Sequence, residues 1–239
     1  MSDSALATQV RAGVAGLPDD QLVERIRAGA PLAVDALVAR HGDALLAFCR
    51  HMVGRLAPAE AIVAASFEQA VLAVRRHDRP VYIRALLFAI ARGRCAAAKV
   101  DGTDLHGLDP EVRRDAELRA MVDAVGALPA DQRTALLLAE LHHHSREEIA
   151  AIVGCPGEKI DPLVAEARIA LAGAPAPEAG DWACAHVRPL LAADHAAVDR
   201  RDALRRHVGE CESCDVFRKA IAHQRRLLAI VLPVTPTAG

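Results

Sequence analysis

The sequence has few aromatic residues and few lysines. Six of its 239 residues are Phe, Tyr or Trp, whereas 51 are alanine. This composition favours helices over sheets and predicts an all-α fold. Arginine outnumbers lysine 26 to 3, but Asp and Glu together total 31, so the net charge is −2. That balance excludes a uniformly basic nucleic-acid-binding coat, and any binding of a polyanion has to come from a local patch.

Long apolar runs are also missing. No segment reaches 18 apolar residues without a charge, which predicts that the chain has no transmembrane helix and no membrane partner. Residues 1–20 lack a basic stretch followed by an apolar run, so we expect no secretory signal and a cytoplasmic location. In that reducing compartment the six cysteines are expected to be free thiols or metal ligands rather than disulfides.

Turn-rich stretches divide the chain into three blocks. One stretch, 101–110, combines Gly, Asp and Pro, and the other, 173–181, is rich in Pro, Ala and Gly. The predicted order is a tail, three domains separated by two linkers, and a second tail. Their bounds are 1–18, 19–100, 101–110, 111–172, 173–181, 182–232 and 233–239.

The first block shows helical periodicity throughout. Asp19 and Asp20 are candidates for the N-cap of a first helix. Pro31, Pro58 and Pro80 are placed to open three further helices. Apolar residues at helical spacing follow each start, so we expect a bundle of four helices.

The second block carries a helix-turn-helix pattern. Leu128-Pro129 ends one helix, and the string from Ser145 to Glu148 forms a capping box for a short helix. The turn from Gly154 to Gly157 then leads into the last helix of the block. Two helices joined by a tight turn can present a recognition helix to the major groove of DNA, although such pairs also occur as plain structural hairpins.

The third block contains a metal-ligand pattern. On a continuous helix His207, Cys211 and Cys214 would face one side, because they lie four and three residues apart. An imidazole and two thiolates are three of the four ligands of a tetrahedral zinc site, and Cys184 is the natural fourth. The sequence therefore predicts one Zn²⁺, with a structural or a redox-sensing role; a chance His and two Cys on an amphipathic helix is the alternative. Two histidines are rivals for the fourth position: His186 and His195.

The first two blocks, in this order, resemble an extracytoplasmic-function (ECF) sigma factor of the sigma-70 family. Residues 19–76 and the run from Leu86 to Arg92 are similar to region 2 of that family. The strings from Leu128 to Arg133 and from Ser145 to Gly154 are similar to region 4. The resemblance implies that region 2 binds core RNA polymerase and the −10 promoter element, and that region 4 binds the −35 element.

The third block resembles the zinc-binding anti-sigma domain, in which an upstream Cys precedes His-x3-Cys-x2-Cys. The resemblance implies that Cys184, His207, Cys211 and Cys214 are the metal ligands. It also implies a contact between this domain and the sigma-like part of the same chain, and hence regulation in cis.

Charge is distributed unevenly between the first two blocks. Residues 75–100 hold seven basic residues against one acidic residue, a net of +6, which suits a phosphate backbone; a solvated basic helix face is the alternative. Residues 121–172 have a net charge of −4, a sign that DNA repels, so we expect weakened contacts of region 4 with DNA. The candidate DNA-binding residues are Arg75, Arg76, Arg79, Arg84, Arg92, Arg94, Lys99, Lys159 and Arg168.

Two functions are consistent with these features. The first is a sigma-type transcription initiation factor that binds core RNA polymerase and promoter DNA and is regulated by its own zinc domain. The second, favoured by the acidic recognition helix, is a sigma-like interaction protein or anti-sigma-type regulator with little or no promoter binding. We expect no enzyme, because no paired carboxylates, Gly-rich phosphate loop or nucleophile near a base is found, and a four-coordinate zinc has no open position.

Overall fold

The computed structural model describes four segments of the chain, 13–98, 114–173, 182–193 and 198–232. Their regular structure consists of α-helices and one short 3-10 turn, without a β-strand in these segments, which confirms the all-α prediction. The chain forms two compact units that meet in sequence between Asp104 and Leu105. The second unit contains both the predicted second domain and the predicted third domain. Most of both predicted linkers lies outside the described residues.

The first unit is a bundle of four described helices. These are α1 (Asp19–Arg27), α2 (Pro31–Val53), α3 (Leu56–Arg76) and α4 (Ile83–Ala97). The long helix α2 contacts each of the other three. Apolar side chains at helical spacing fill the space between them, and the rings of Phe48 and Phe88 meet edge to face at 5.3 Å.

The helix starts differ in detail from those expected. Pro31 is the first residue of α2, as predicted, whereas Pro58 lies within the first turn of α3 and Pro80 precedes α4. The N-cap of α1 is Pro18 rather than Asp19, and no side chain caps this helix. Asp19 instead turns towards α2, where the guanidinium of Arg40 and the imidazole of His41 offer it two hydrogen-bond partners.

Asp19 ties the start of α1 to the middle of α2. Its carboxylate accepts a hydrogen bond of 2.7 Å from the guanidinium of Arg40 and lies 3.0 Å from Nε2 of His41. Partial burial acts to raise the pKa of Asp19, but the hydrogen bonds from Arg40 and His41 outweigh it and hold the pKa below its usual value. The ion pair therefore contributes to the stability of the first unit.

Two cysteines of the first unit are core residues. Cys49 of α2 and Cys95 of α4 are both buried. A hydrogen bond with Cys95, together with burial, raises the pKa of Cys49 far above that of a free thiol. Cys49 is therefore a neutral, unreactive thiol that packs as a small apolar side chain.

Helix α3 is the one described helix that is long and apolar enough to cross a membrane by length and composition, with a mean hydropathy of 1.3. It packs between α2 and α4 and presents Glu60 and Glu68 at its exposed face. These contacts are those of a core helix in a bundle.

The second unit begins with a helix-turn-helix arrangement. Its helices are α5 (Ala116–Ala127), α6 (Ala130–Glu140), α7 (Arg146–Val153) and α8 (Ile160–Ala172), with the 3-10 turn Gly157–Lys159 before α8. The predicted capping box is present, because the Ser145 hydroxyl accepts from the Glu148 amide at 3.2 Å and the Glu148 carboxylate accepts from the Ser145 amide at 2.9 Å. Gly154 ends α7 with a φ of 78°, a conformation that favours glycine.

Three further described helices follow the helix-turn-helix arrangement. They are α9 (Trp182–Ala192), α10 (Val198–Glu210) and α11 (Glu212–Val231), here called the C-terminal module. Helices α9 and α11 pack on α8, and α11 also packs on α5. The contact is an apolar cluster with four buried members, Ala165, Ala192, Phe217 and Ile221. The sequence predicts that the last helix packs on the zinc module or on region 2, and the structure places it on the module and on the helix-turn-helix domain.

We predict that Asp19→Asn destabilises the first unit by about 1 kcal/mol at neutral pH, since it removes a charge-assisted pair that is partly exposed. The folded-state pKa of Asp19 lies below the unfolded-state value, taken as 3.8. The stabilisation is therefore present above that value and is lost as the pH falls through the lowered pKa. Urea denaturation of the whole chain at pH 7 and about pH 3 measures both effects.

Asp20→Asn is the matched control, because Asp20 is exposed in the same helical turn and its carboxylate accepts from the backbone of Gln21. An equal loss of stability in both variants at pH 7 would contradict the assigned role of Asp19.

Candidate metal centre and nucleic-acid interface

Four side chains of the C-terminal module converge on one point. They are Cys184, His207, Cys211 and Cys214, the set predicted as metal ligands. Each offers one ligand atom, and all four atoms lie within 4.8 Å of one another. Cys184 and Cys214 are buried, and the other two are half-buried. The cluster can hold a metal ion.

The helices that carry these residues meet at a break that the sequence pattern did not predict. The stretch from His207 to Cys214 is not one continuous helix: Cys211 is extended, with φ −117° and ψ 103°, and separates α10 from α11. Its amide donates to the carbonyl of His207 at 2.8 Å and ends α10, while its carbonyl accepts from Asp215 at 3.0 Å and begins α11. Gly209, two residues earlier, weakens the helix just before this break.

The geometry of the cluster fits a tetrahedral ion. The Cys184 sulfur lies 3.4 Å from the Cys211 sulfur and 3.7 Å from Nε2 of His207, which in turn lies 3.3 Å from the Cys214 sulfur. Zinc bond lengths place tetrahedral ligand atoms about 3.4–3.8 Å apart. Three thiolates and an imidazole are a donor set that zinc takes in closed sites.

A buried arginine lies beside the cluster. Arg188 of α9 is 5% exposed, its Nη2 donates to the Ser213 hydroxyl at 2.8 Å, and its guanidinium lies 5.1 Å from the centre of the Phe217 ring. Burial raises the pKa of the Cys214 thiol, whereas the hydrogen bond from Arg188 acts to lower it. Three thiolates around a dication leave one net negative charge, which this guanidinium offsets.

Of the two rival ligands, only His186 lies among the described residues, and it is not part of the cluster. His186 lies on α9 but is exposed. His195 lies outside the described residues.

Three of the predicted basic residues of the first unit lie at the connection between α3 and α4, here called the basic end. Arg75, Arg76 and Arg79 are exposed there. Three further candidates on α4 are half-buried, namely Arg84, Arg92 and Arg94. The last candidate, Lys99, lies outside the described residues.

Hydrogen bonds between helix ends fix the backbone of the basic end. Arg27 of α1 donates to the Val74 carbonyl at 3.3 Å and to the Arg79 carbonyl at 2.5 Å. In return Arg75 of α3 donates to the Ile26 carbonyl at 3.3 Å. Each guanidinium thus caps the negative end of the neighbouring helix, which holds the arginine-rich connection in place.

Tyr82, a residue not among the predicted sites, stands out at the basic end. Its side chain is 85% exposed at the N-cap of α4, between Arg79 and Arg84 in sequence. An exposed ring among arginines is a platform on which an unpaired base can stack. Its position in the +6 segment was the available sequence signal, but only the structure shows that the ring points outward.

The recognition helix α8 presents an acidic face. Lys159 is exposed just before it, but Asp161 forms an ion pair with Arg146 and Glu166 accepts a hydrogen bond of 3.0 Å from Gln132. Pro162 lies in the first turn of α8, where it is tolerated. The arrangement leaves little positive charge where a recognition helix meets phosphates.

Arg168, predicted as a DNA contact, lies in the interior. It is 1% exposed, with Nε 2.9 Å from the Glu140 carboxylate and Nη1 2.7 Å from the Ala192 carbonyl. The C-terminal module covers this side of α8, so the side chain has no access to a phosphate in this conformation. The predicted contact of Arg168 with DNA is therefore blocked in this conformation.

We predict that the full chain binds one zinc ion per molecule and that Cys184→Ser or Cys214→Ser weakens binding strongly, because each removes a thiolate from a closed site. Cobalt(II) titration with thiolate charge-transfer absorption, together with elemental analysis, measures occupancy. Cys155→Ser is the control, since Cys155 is half-buried outside the cluster. A folded chain that gives no cobalt–thiolate absorption would rule the centre out.

Comparisons with known proteins give a family match for the helix-turn-helix part of the chain. The family model described as sigma-70, region 4 matches residues 118–171. A search of curated protein sequences gave no match. Among solved structures, CnrH in complex with the cytosolic domain of CnrY is similar, with a TM-score of 0.53 and 26% identity over 64% of this chain and 94% of that one.

CnrH is an ECF sigma factor. Sigma factors are non-enzymatic transcription factors, in agreement with the prediction that the protein is not an enzyme. The second unit thus contains a sigma-70 region 4 domain, and the likeness to CnrH supports an ECF sigma factor.

Proposed function

We propose that the protein is an ECF-type sigma factor of the cytoplasm, which binds core RNA polymerase and promoter DNA and is regulated in cis by a zinc-binding C-terminal module. The observation that carries the proposal is a region 4 domain whose recognition helix is packed against a module with a Cys3His cluster. A region 4 domain and a candidate metal-binding module thus share one compact unit, which supports regulation of one by the other.

The basic end supports a role in promoter binding for the first unit. Exposed arginines there offer positive charge in a protein whose net charge is −2. Neutralising phosphates with a local patch of this kind gives salt-dependent binding without a basic protein overall. The fixed backbone of the basic end reduces the conformational entropy lost on binding.

Tyr82 supports binding to an opened strand. Stacking of a base on an aromatic ring contributes about 1–3 kcal/mol, and it tolerates any base. A ring held at the start of α4, with arginines before and after it, can engage the base and its phosphates together. Opened promoter DNA provides such a strand, whereas closed duplex does not.

The acidic face of α8 favours a second candidate function, a sigma-like interaction protein that does not read the −35 element. The ion pair between Arg146 and Asp161 neutralises a positive charge at the start of the recognition helix. Glu166 lies on the exposed side of the same helix. On this alternative the region 4 domain binds a protein partner, and promoter contacts, where present, come from the first unit.

The metal cluster supports the proposed regulation, because a zinc ion bound there would fix the relative positions of the helices of the C-terminal module. The four ligands connect α9, α10 and α11, three helices whose own core is small. A structural zinc site contributes folding free energy to a unit of this size. When bound, the ion supplies a rigid cross-link, and the apolar faces of α9 and α11 then fit α8.

We predict that Tyr82→Ala lowers promoter-dependent transcription by core RNA polymerase by about tenfold, because it removes a stacking surface. Tyr82→Phe keeps the ring and is expected to retain activity. The assay is run with zinc-loaded and zinc-depleted full chain, so that regulation by the module does not mask the effect.

Leu72→Ala is the matched control, because Leu72 is an exposed apolar residue of the same unit. Binding to core polymerase is expected to be unchanged in all three variants. Failure of the wild-type chain to bind core polymerase in either metal state would overturn the proposal.

The two candidate functions predict different effects of Lys159→Ala. If region 4 binds promoter DNA, this variant weakens duplex binding and lowers the salt slope by about one, since Lys159 is the exposed cation before α8. Fluorescence anisotropy at several salt concentrations measures both quantities.

Lys219→Ala is the control, because Lys219 is exposed on α11 and pairs with Asp215. An unchanged salt slope in Lys159→Ala would favour the interaction protein over the −35 reader.

A further inference from the structure

Arg168 is the buried charge that connects the region 4 domain to the C-terminal module. Its Nε and Nη2 lie 2.9 and 2.5 Å from the Glu140 carboxylate, on α6. Its Nη1 donates to the carbonyl of Ala192, the last residue of α9, at 2.7 Å. One guanidinium on the recognition helix thus bridges a helix of region 4 and a helix of the module.

Because the guanidinium of Arg168 is buried, this bridge depends on the docking of the C-terminal module onto α8. A fully buried guanidinium is costly unless it is paired and hydrogen-bonded. Glu140 supplies the opposite charge, and Arg225 of α11 lies 3.8 Å from the same carboxylate. If α9 moves away, Arg168 loses the Ala192 carbonyl and gains water, so the charged side chain favours the exposed state.

The metal cluster determines whether α9 and α11 can hold this position. Cys184 lies near the start of α9 and Cys214 near the start of α11, so an ion bound to both fixes the distance between the two helices. Further along, Ala192 of α9 and Phe217 of α11 pack together against Ala165 of α8. A change in the spacing of α9 and α11 therefore acts directly on the face of the recognition helix that carries Arg168.

We propose that the C-terminal module is a metal-dependent clamp, which docks on α8 when metal is bound and thereby keeps Arg168 buried. With metal bound, the module holds Arg168 between Glu140 and Ala192, away from any phosphate. With metal removed, α9 and α11 loosen on α8, and Arg168 becomes available to bind a phosphate of duplex DNA. This inference rests on the proposed function for its consequence, DNA binding, but the clamp itself is a property of the second unit alone.

Glu140→Gln tests the clamp without touching the metal ligands. The variant leaves a buried guanidinium with a neutral partner, so the docked state loses a charge-assisted hydrogen bond. In the zinc-loaded full chain we expect the amides of α8 to exchange about ten- to hundredfold faster than in wild type. Chelation of zinc from the wild-type chain is expected to have the same effect on the same amides.

Glu117→Gln is the matched control for this substitution. Glu117 of α5 pairs with His223 of the module at 2.7 Å, but both side chains are well exposed. The control thus removes the same charge from the same interface and leaves Arg168 in place. Equal acceleration in Glu117→Gln and Glu140→Gln, or unchanged exchange in Glu140→Gln, would overturn the clamp.

A DNA-binding assay measures whether Arg168, once released, contacts a phosphate of the duplex. Using a mixed-sequence 30-base-pair duplex as the probe, we expect chelated wild type and zinc-loaded Glu140→Gln to show a salt slope larger by about one than zinc-loaded wild type. Arg168→Met fills the same space without the charge and is expected to abolish this gain. A gain that survives Arg168→Met would overturn the assignment to Arg168.

The two readouts separate this inference from the proposed function. Faster exchange with no binding to core polymerase would support the clamp and overturn the sigma-factor role. Normal binding to core polymerase with exchange at α8 unaffected by chelation would overturn the clamp and leave the sigma-factor role intact.

Discussion

Burial of the recognition helix α8 is the constraint on which the second unit depends. Its buried residues, which include Val164, Ala165, Ala167 and Leu171, are too widely spread around the helix to face one neighbour. Region 4 helices cover part of this surface and the C-terminal module covers the rest. Small side chains permit the close approach of two sets of helices. The helix keeps one exposed face, around Glu166, and the rest of its surface is largely buried.

The metal cluster and this packing support each other. The module consists of three described helices, and apolar residues of two of them, α9 and α11, pack against α8 as well as against each other. Four ligands at the far end of the module provide a cross-link that so small a core lacks. A bound metal ion would therefore order one end of the module while region 4 orders the other, which is the physical basis of the proposed link between metal occupancy and the recognition helix.

Positive charge is placed where the fold can hold it. At the basic end, guanidinium groups cap neighbouring helices and remain partly exposed. The same side chains can therefore stabilise the fold and bind phosphate. On region 4 two of the corresponding cations, Arg146 and Arg168, are paired with carboxylates, and Lys159 remains exposed. The proposed nucleic-acid binding is thus assigned mainly to the first unit.

Local sequence determined most of the helices and the identity of the metal cluster. Periodicity, the capping box at Ser145 and the spacing of Cys and His residues act over a few residues, so they can be read without a fold. The break at Cys211, the outward ring of Tyr82 and the burial of Arg168 were decided by tertiary structure alone. Each depends on which helices pack together, and a charged side chain is buried or exposed according to partners that are distant in sequence.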